Sequence, residues 1–239
     1  MKTKIIMVLT LGRSGSTNLI RNFSNFININ VNSEIFNKNE SYCNDDNKQL
    51  IISRYGKNYL KITTDKNYQI EILKYLSENC NKEFFIFKIF ICQTTIEILQ
   101  KMIKENIIYR IIILQRKNII DRFISERKAY MLNEWTTFAT TNYKIEFNIQ
   151  KYESFKNYHK KYYSKYFKIV KDNYTYIEYN ETINLDSIIK KIKSIFPELI
   201  LKNNSNNCLE KQDKSKNYND KITNYDEVKD FIEEELKTF

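Results

Sequence analysis

The chain has 239 residues, 42% of them hydrophobic and 14% aromatic, which excludes an intrinsically disordered protein and is enough for one domain with a sizeable core. Lys and Arg number 39 against 29 Asp and Glu, a formal net charge of +10. That excess suits a polyanionic ligand, nucleic acid or an anionic surface, but a Lys-, Asn- and Ile-rich composition produces it without any ligand, so function must be argued from local clusters.

The first apolar run, residues 5–11 (IIMVLTL), predicts a buried strand; it is too short for a membrane span and no small-residue cleavage site follows it. Residues 16–26 read as a helix, and 65–79 as another, with Tyr68, Ile72, Leu73, Tyr75 and Leu76 at helical spacing. Residues 83–91 (EFFIFKIFI) predict a second strand, 94–104 a helix, 109–115 (YRIIILQ) a third strand and 119–132 a helix. Tyr152, Phe155, His159, Tyr162, Tyr166 and Ile169 form a long amphipathic stripe. Residues 174–179 (YTYIEY) predict a fourth strand, and 186–196 and 224–236 late helices. The polar segment 202–219 reads as a loop. Strands alternating with helices predict one α/β domain over 1–239, three-layered and P-loop-like, with a mostly parallel sheet flanked by helices. Cys43, Cys80, Cys92 and Cys208 have no close spacing, so free thiols and no zinc site are expected. With no apolar span and no signal-type leader, the expected location is the cytoplasm.

The chain has three glycines, and two of them, Gly12 and Gly15, stand in the loop between the first strand and the first helix. Glycine lets backbone N–H groups face an anion, and a helix N-terminus adds partial positive charge. Arg13 supplies a permanent charge, read as an exposed loop arginine, while Ser14, Ser16 and Thr17 supply hydroxyls and Asn18 an amide. The plainer alternative is a tight turn with a Ser/Thr helix cap. The loop lacks the GK[ST] of a Walker A motif and is not GxGxxG.

"LGRSGSTNL" resembles the 5′-phosphosulfate loop of sulfotransferases that use 3′-phosphoadenosine 5′-phosphosulfate (PAPS). In that superfamily a basic residue after the third strand, and a serine eight positions later, hold the 3′-phosphate. In "ILQRKNIIDRFISERKAYMLNEW" these fall on Lys117 and Ser125, with Arg116 beside them. The usual arginine position falls on Lys117, and the sequence leaves open which of Arg116 and Lys117 takes the role. "SEIF" at 33–36, Trp135, "IEYNETI" at 177–183 and "LEKQ…KITNYDEV" at 209–228 point to carbohydrate sulfotransferases of the nodulation-factor and trehalose type. The resemblance implies PAPS as cofactor, adenosine 3′,5′-bisphosphate as product, no metal and a hydroxyl-bearing acceptor, a carbohydrate or glycolipid. It implies Glu34 as general base, Arg13 as a stabiliser of developing charge, and Lys211 and Gln212 in a final loop over the nucleotide.

His159, the single histidine, is the competing base, but its place on an aromatic stripe reads as core. Arg122, Arg127 and Lys128 read either as part of the anion site or as a solvated helix face. A degenerate kinase, a nucleic-acid module and a catalytically dead PAPS binder are the alternative functions; no nucleic-acid-reading motif is seen.

Overall fold

The computed structural model describes residues 3–135, 143–171, 174–203, 215 and 217–238. In chain order these form β1 (Lys4–Thr10), α1 (Ser16–Phe23), β2 (Ile29–Val31), α2 (Asp45–Tyr55), α3 (Tyr59–Thr64), α4 (Gln69–Glu78), β3 (Phe84–Phe90), α5 (Ile96–Lys104) and β4 (Ile108–Gln115). Then follow α6 (Ile119–Leu132), α7 (Ile149–Val170), β5 (Tyr174–Glu178), α8 (Leu185–Ile195) and α9 (Tyr225–Leu236). The five strands make one sheet in the order β2-β3-β1-β4-β5, and every pairing is parallel.

Both faces of the sheet are covered, which is why β1 and β3 are almost uniformly apolar. Ile5, Met7 and Leu9 of β1 face the layer that holds Ile72 and Leu76 of α4, Leu99 of α5 and Tyr166 of α7. Ile6 and Val8 face the opposite layer, with Leu19 and Phe23 of α1 and Ile188 and Ile192 of α8. A third cluster packs α6, the first half of α7 and α9 around Phe123, Phe147, Tyr152 and Ile232.

The predicted sheet and its long helices form, and the sheet is wholly and not mostly parallel. Three elements had no expectation. Strand β2 is three residues long with Asn30 at its centre, so it is too short to carry a periodic signal. Helix α2 buries only Asn47 and Ile51. Asparagine chemistry fixes it instead. Asn30 Oδ1 accepts from the side-chain amides of Asn32, Asn44 and Asn47, and Asn44 caps α2 by accepting from the Asn47 N–H at 2.9 Å. Short α3 follows a 3₁₀ turn at Gly56–Asn58. The helix expected over 65–79 starts at Gln69, after the 3₁₀ turn Lys66–Tyr68, and the first helix ends at Phe23, three residues early.

Two tyrosines of α7 fix the ends of the strands that carry the loop. Tyr166 OH donates to the Thr10 carbonyl at 3.0 Å and Tyr163 OH to the Leu114 carbonyl at 2.6 Å. The Thr10 hydroxyl donates to the same Leu114 carbonyl at 3.0 Å.

Candidate functional site

The loop after β1 turns through two left-handed residues, Arg13 at φ 62° and Gly15 at φ 80°. Gly15 is the N-cap of α1, and no side chain caps that helix, so the Ser/Thr-cap alternative is not what forms. The positive end of the α1 dipole therefore opens onto this loop. The two glycines are not equivalent. A Cβ on Gly15 would stand 2.4 Å from Tyr179 Cδ2, whereas one on Gly12 would meet nothing within 4 Å.

One wall of the loop is a buried ion pair. Lys88, on β3, is 3% exposed and lies 3.2 Å from Glu34 Oε1. Its ammonium donates to Thr17 Oγ1 at 3.0 Å and Ser16 Oγ at 3.4 Å. Glu34 Oε2 accepts from Gln93 Nε2 at 2.8 Å and Asn37 Nδ2 at 2.7 Å. Ile35 and Phe36, both buried, anchor the segment that presents Glu34. Burial pushes the Lys88 pKa down; Glu34 opposes that shift and the Arg13 charge adds to it. The sequence reading missed Lys88 and Gln93. The available signal was a lysine interrupting "EFFIFKIFI", a strand otherwise suited to full burial.

The other wall joins the two predicted anion motifs. Arg13 Nε donates to Ser125 Oγ at 3.0 Å, and Arg13 Nη1 to the Trp135 carbonyl at 2.5 Å. The exposed loop arginine of the sequence reading is therefore half-buried, tied to α6 and the residues just after it. Burial first, and then the neighbouring Arg116 charge, lower its pKa. Arg116 is buried, 3.2 Å from Asp121, and stacks its guanidinium 4.4 Å from the centroid of the Tyr179 ring. That ring is the one against Gly15, so Arg116 belongs to the loop's surroundings. Lys117 is exposed and turned toward β5, its ammonium 5.8 Å from the Tyr176 ring centroid. Of the two residues left open by the sequence, geometry brings Arg116 to the loop.

Ser14 is buried, its Oγ 3.4 Å from Tyr163 OH, so its hydroxyl faces the core. Asn18 Nδ2 donates to the Thr182 carbonyl at 2.6 Å, tying α1 to the turn after β5. The solvated-face alternative fails for Arg122, which is 2% exposed and donates from Nε to the Gly12 carbonyl at 2.8 Å. It fails for Lys128 as well, which is fully buried; Arg127 is half-buried. His159 is 1% exposed with its ring centroid 4.7 Å from that of Tyr163. Burial, reinforced by the Arg122 charge, lowers its pKa to about 3, so it is a neutral core histidine. Trp135 is exposed, edge-to-face with Tyr130 at 4.8 Å.

Lys211 and Gln212, Cys208 and most of the predicted loop over 202–219 lie outside the described residues. Cys43, Cys80 and Cys92 are free thiols. Among the described residues no group of three or more His, Cys, Asp or Glu is placed to hold a metal ion, and no helix is long and apolar enough to cross a membrane. No protein-family model matches this chain, and no curated protein matches it at a significant level.

Proposed function

We propose that this protein is a PAPS-dependent sulfotransferase acting on a hydroxyl of a carbohydrate or glycolipid. The observation that carries the reading is the buried Lys88–Glu34 pair bonded to Ser16 and Thr17 at the mouth of the glycine loop. It puts a carboxylate and a cation beside a helix N-terminus that no side chain caps. One further observation supports the cofactor: Arg13 bonds to Ser125, which links the two predicted anion-binding motifs.

When bound, PAPS supplies a sulfuryl group carried on a phosphate. The α1 amides, Ser16 and Thr17 would hold its 5′ end, and Arg116 and Ser125 its 3′-phosphate. Lys88 and Arg13 would supply positive charge to the negative charge that gathers during transfer. Glu34 accepts the proton of the acceptor hydroxyl. Its three donors orient the carboxylate and keep it from swinging into the core. The exposed Tyr130–Trp135 pair would offer an aromatic surface for a sugar ring, and Arg13 donates to the Trp135 carbonyl. Lys211 and Gln212 would cover the nucleotide. Free thiols suit a reducing compartment, and we assign the protein to the cytoplasm.

Titration calorimetry tests the cofactor. Adenosine 3′,5′-bisphosphate is expected to bind more tightly than AMP by about 2–4 kcal/mol, the contribution of a charge-assisted phosphate site. Equal affinities would overturn the reading. Transfer of labelled sulfate from PAPS to a panel of sugars then identifies the acceptor. Arg13→Ala is expected to slow that transfer by about 10²–10³-fold.

A further inference from the structure

Glu126 follows Ser125 on α6 and carries a half-buried carboxylate. Among the described residues no group donates a hydrogen bond to it. Its one ion-pair partner there is Arg122, a turn earlier, whose Nη2 lies 3.7 Å from Oε2, too far for a hydrogen bond. Arg122 cannot close that gap. It is 2% exposed, its Nε is engaged with the Gly12 carbonyl at 2.8 Å, and its guanidinium lies 4.4 Å from the centroid of the Phe155 ring. Its Nη1 has no hydrogen-bond partner among the described residues. A carboxylate and a guanidinium therefore stand side by side with unused capacity, one to accept and one to donate. Burial pushes the Glu126 pKa up against the opposing charges of Arg122, Arg13 and Arg127, as expected of a carboxylate short of donors. Glu126 also lies on an exposed strip that leads to Glu34. Exposed Tyr158 of α7 is within electrostatic reach of Glu126, Arg122 and Cys92, and exposed Cys92 is within reach of Glu34. One turn beyond Glu126, on the same face of α6, stands exposed Tyr130 with its partner Trp135.

We propose that Glu126 selects the acceptor: with Arg122 beside it, it binds a hydroxyl of an uncharged sugar and excludes sugars that carry a carboxylate or sulfate. The proposal rests on the sulfotransferase reading. A hydroxyl donates and accepts at once, so it fits a carboxylate next to a guanidinium. An ammonium only donates, and it would face the Arg122 cation. A second carboxylate only accepts, and it would meet the like charges of Glu126 and Glu34. The acceptor would then place its reacting hydroxyl at Glu34 and a second hydroxyl at Glu126, with Tyr158 between them.

The experiment compares methyl glucoside with methyl glucuronide, which differ by one carboxylate, in ligand-observed NMR titrations. The full-length chain is saturated with adenosine 3′,5′-bisphosphate, so that the glucuronide cannot occupy the nucleotide's anion sites. Wild-type protein is expected to bind the glucoside about tenfold or more tightly than the glucuronide. Glu126→Gln keeps the shape and removes the charge, and is expected to close that gap to within about twofold. Glu126→Ala is expected to weaken the glucoside by about 10- to 100-fold, the loss of one hydrogen bond to a charged group. Bisphosphate affinity is expected to stay unchanged in both variants. Should Glu126→Ala fail to fold, Glu126→Gln carries the test. A gap that persists in Glu126→Gln, a wild-type protein that does not bind the glucoside, or a fall in bisphosphate affinity in Glu126→Gln overturns this proposal alone. A wild-type protein that binds the bisphosphate and AMP equally overturns the sulfotransferase reading and this proposal with it.

Discussion

Glu34 is held by Lys88, Gln93 and Asn37, so its position depends on side chains from β3 and from the turn that follows. Glu34→Gln removes the base and leaves an ammonium that is 3% exposed without its counter-charge. Turnover is expected to fall by about 10²–10⁴-fold. Affinity for the bisphosphate is expected to hold, since Glu34 touches neither Arg116 nor Ser125. Steady-state kinetics beside calorimetry separate the two effects, and a variant with near-normal turnover would remove Glu34 from the base role. His159→Gln is expected to keep its turnover. His159 matters to stability in a different way. Its folded pKa near 3 lies below the ordinary histidine value near 6.5, so the unfolded chain binds a proton that the folded chain does not. Its contribution is complete above pH 6.5 and is lost as pH falls toward 3, with a slope of up to about 1.4 kcal/mol per pH unit. Urea unfolding at pH 7 and pH 5.5 is expected to show a smaller drop for His159→Phe than for the wild type. Parallel drops would contradict the neutral, buried assignment.

At the scale of elements, the loop between β1 and α1 separates its two glycines. Gly15 is left-handed and its Cα faces the Tyr179 ring, so Gly15→Ala combines about 1–2 kcal/mol of backbone strain with a contact that forces the ring aside. Gly12 has open space around it, and Gly12→Ala is expected to stay within about 0.5 kcal/mol of the wild-type stability. Thermal unfolding of both single variants checks the contrast. Because the clash involves one ring, Tyr179→Ala is expected to recover part of the Gly15→Ala loss, a coupling of about 0.5–3 kcal/mol between neighbours. Additive losses would show that strain alone sets the cost. The glycine spacing was visible in the sequence. The Tyr179 ring, which with the left-handed φ makes glycine obligatory only at position 15, comes from the turn after β5 and was not.

Across the whole molecule, the third core cluster joins α6, α7 and α9 and so fixes the helix that carries Asp121, Arg122 and Ser125. Phe123 is its centre, with ring centroids of Phe147, Phe155 and Tyr152 at 5.2, 5.4 and 5.6 Å. Phe155 also lies under the Arg122 guanidinium, at 4.4 Å, and Arg122 donates to the loop carbonyl of Gly12. Phe123→Ala is expected to cost about 3–5 kcal/mol of unfolding free energy, as buried aromatic truncations do. Denaturant titration measures it, and a loss below about 1 kcal/mol would show that the cluster does not support this side of the site.

Local pattern by itself determined the sheet strands β1, β3, β4 and β5, the helices at 119–132 and along the Tyr152 stripe, and the glycine loop. Each is written in neighbouring residues: continuous apolar runs for strands covered on both faces, helical spacing for the stripe, and scarce glycines grouped where the chain turns left-handed. The buried place of His159 was also legible, because its helical neighbours are aromatic. Tertiary structure alone decided the rest. Gln93 meets Glu34 across 59 residues of chain and Lys221 meets Asp121 across 100. It brought Arg116 and not Lys117 to the loop, turned an expected surface Arg13 into a link between two motifs, and paired Lys88 with Glu34. Those meetings follow from the strand order β2-β3-β1-β4-β5, which brings the ends of distant strands together around one loop. Hydrophobic periodicity carries no record of that order, since it reports which face of an element is buried and not what it is buried against.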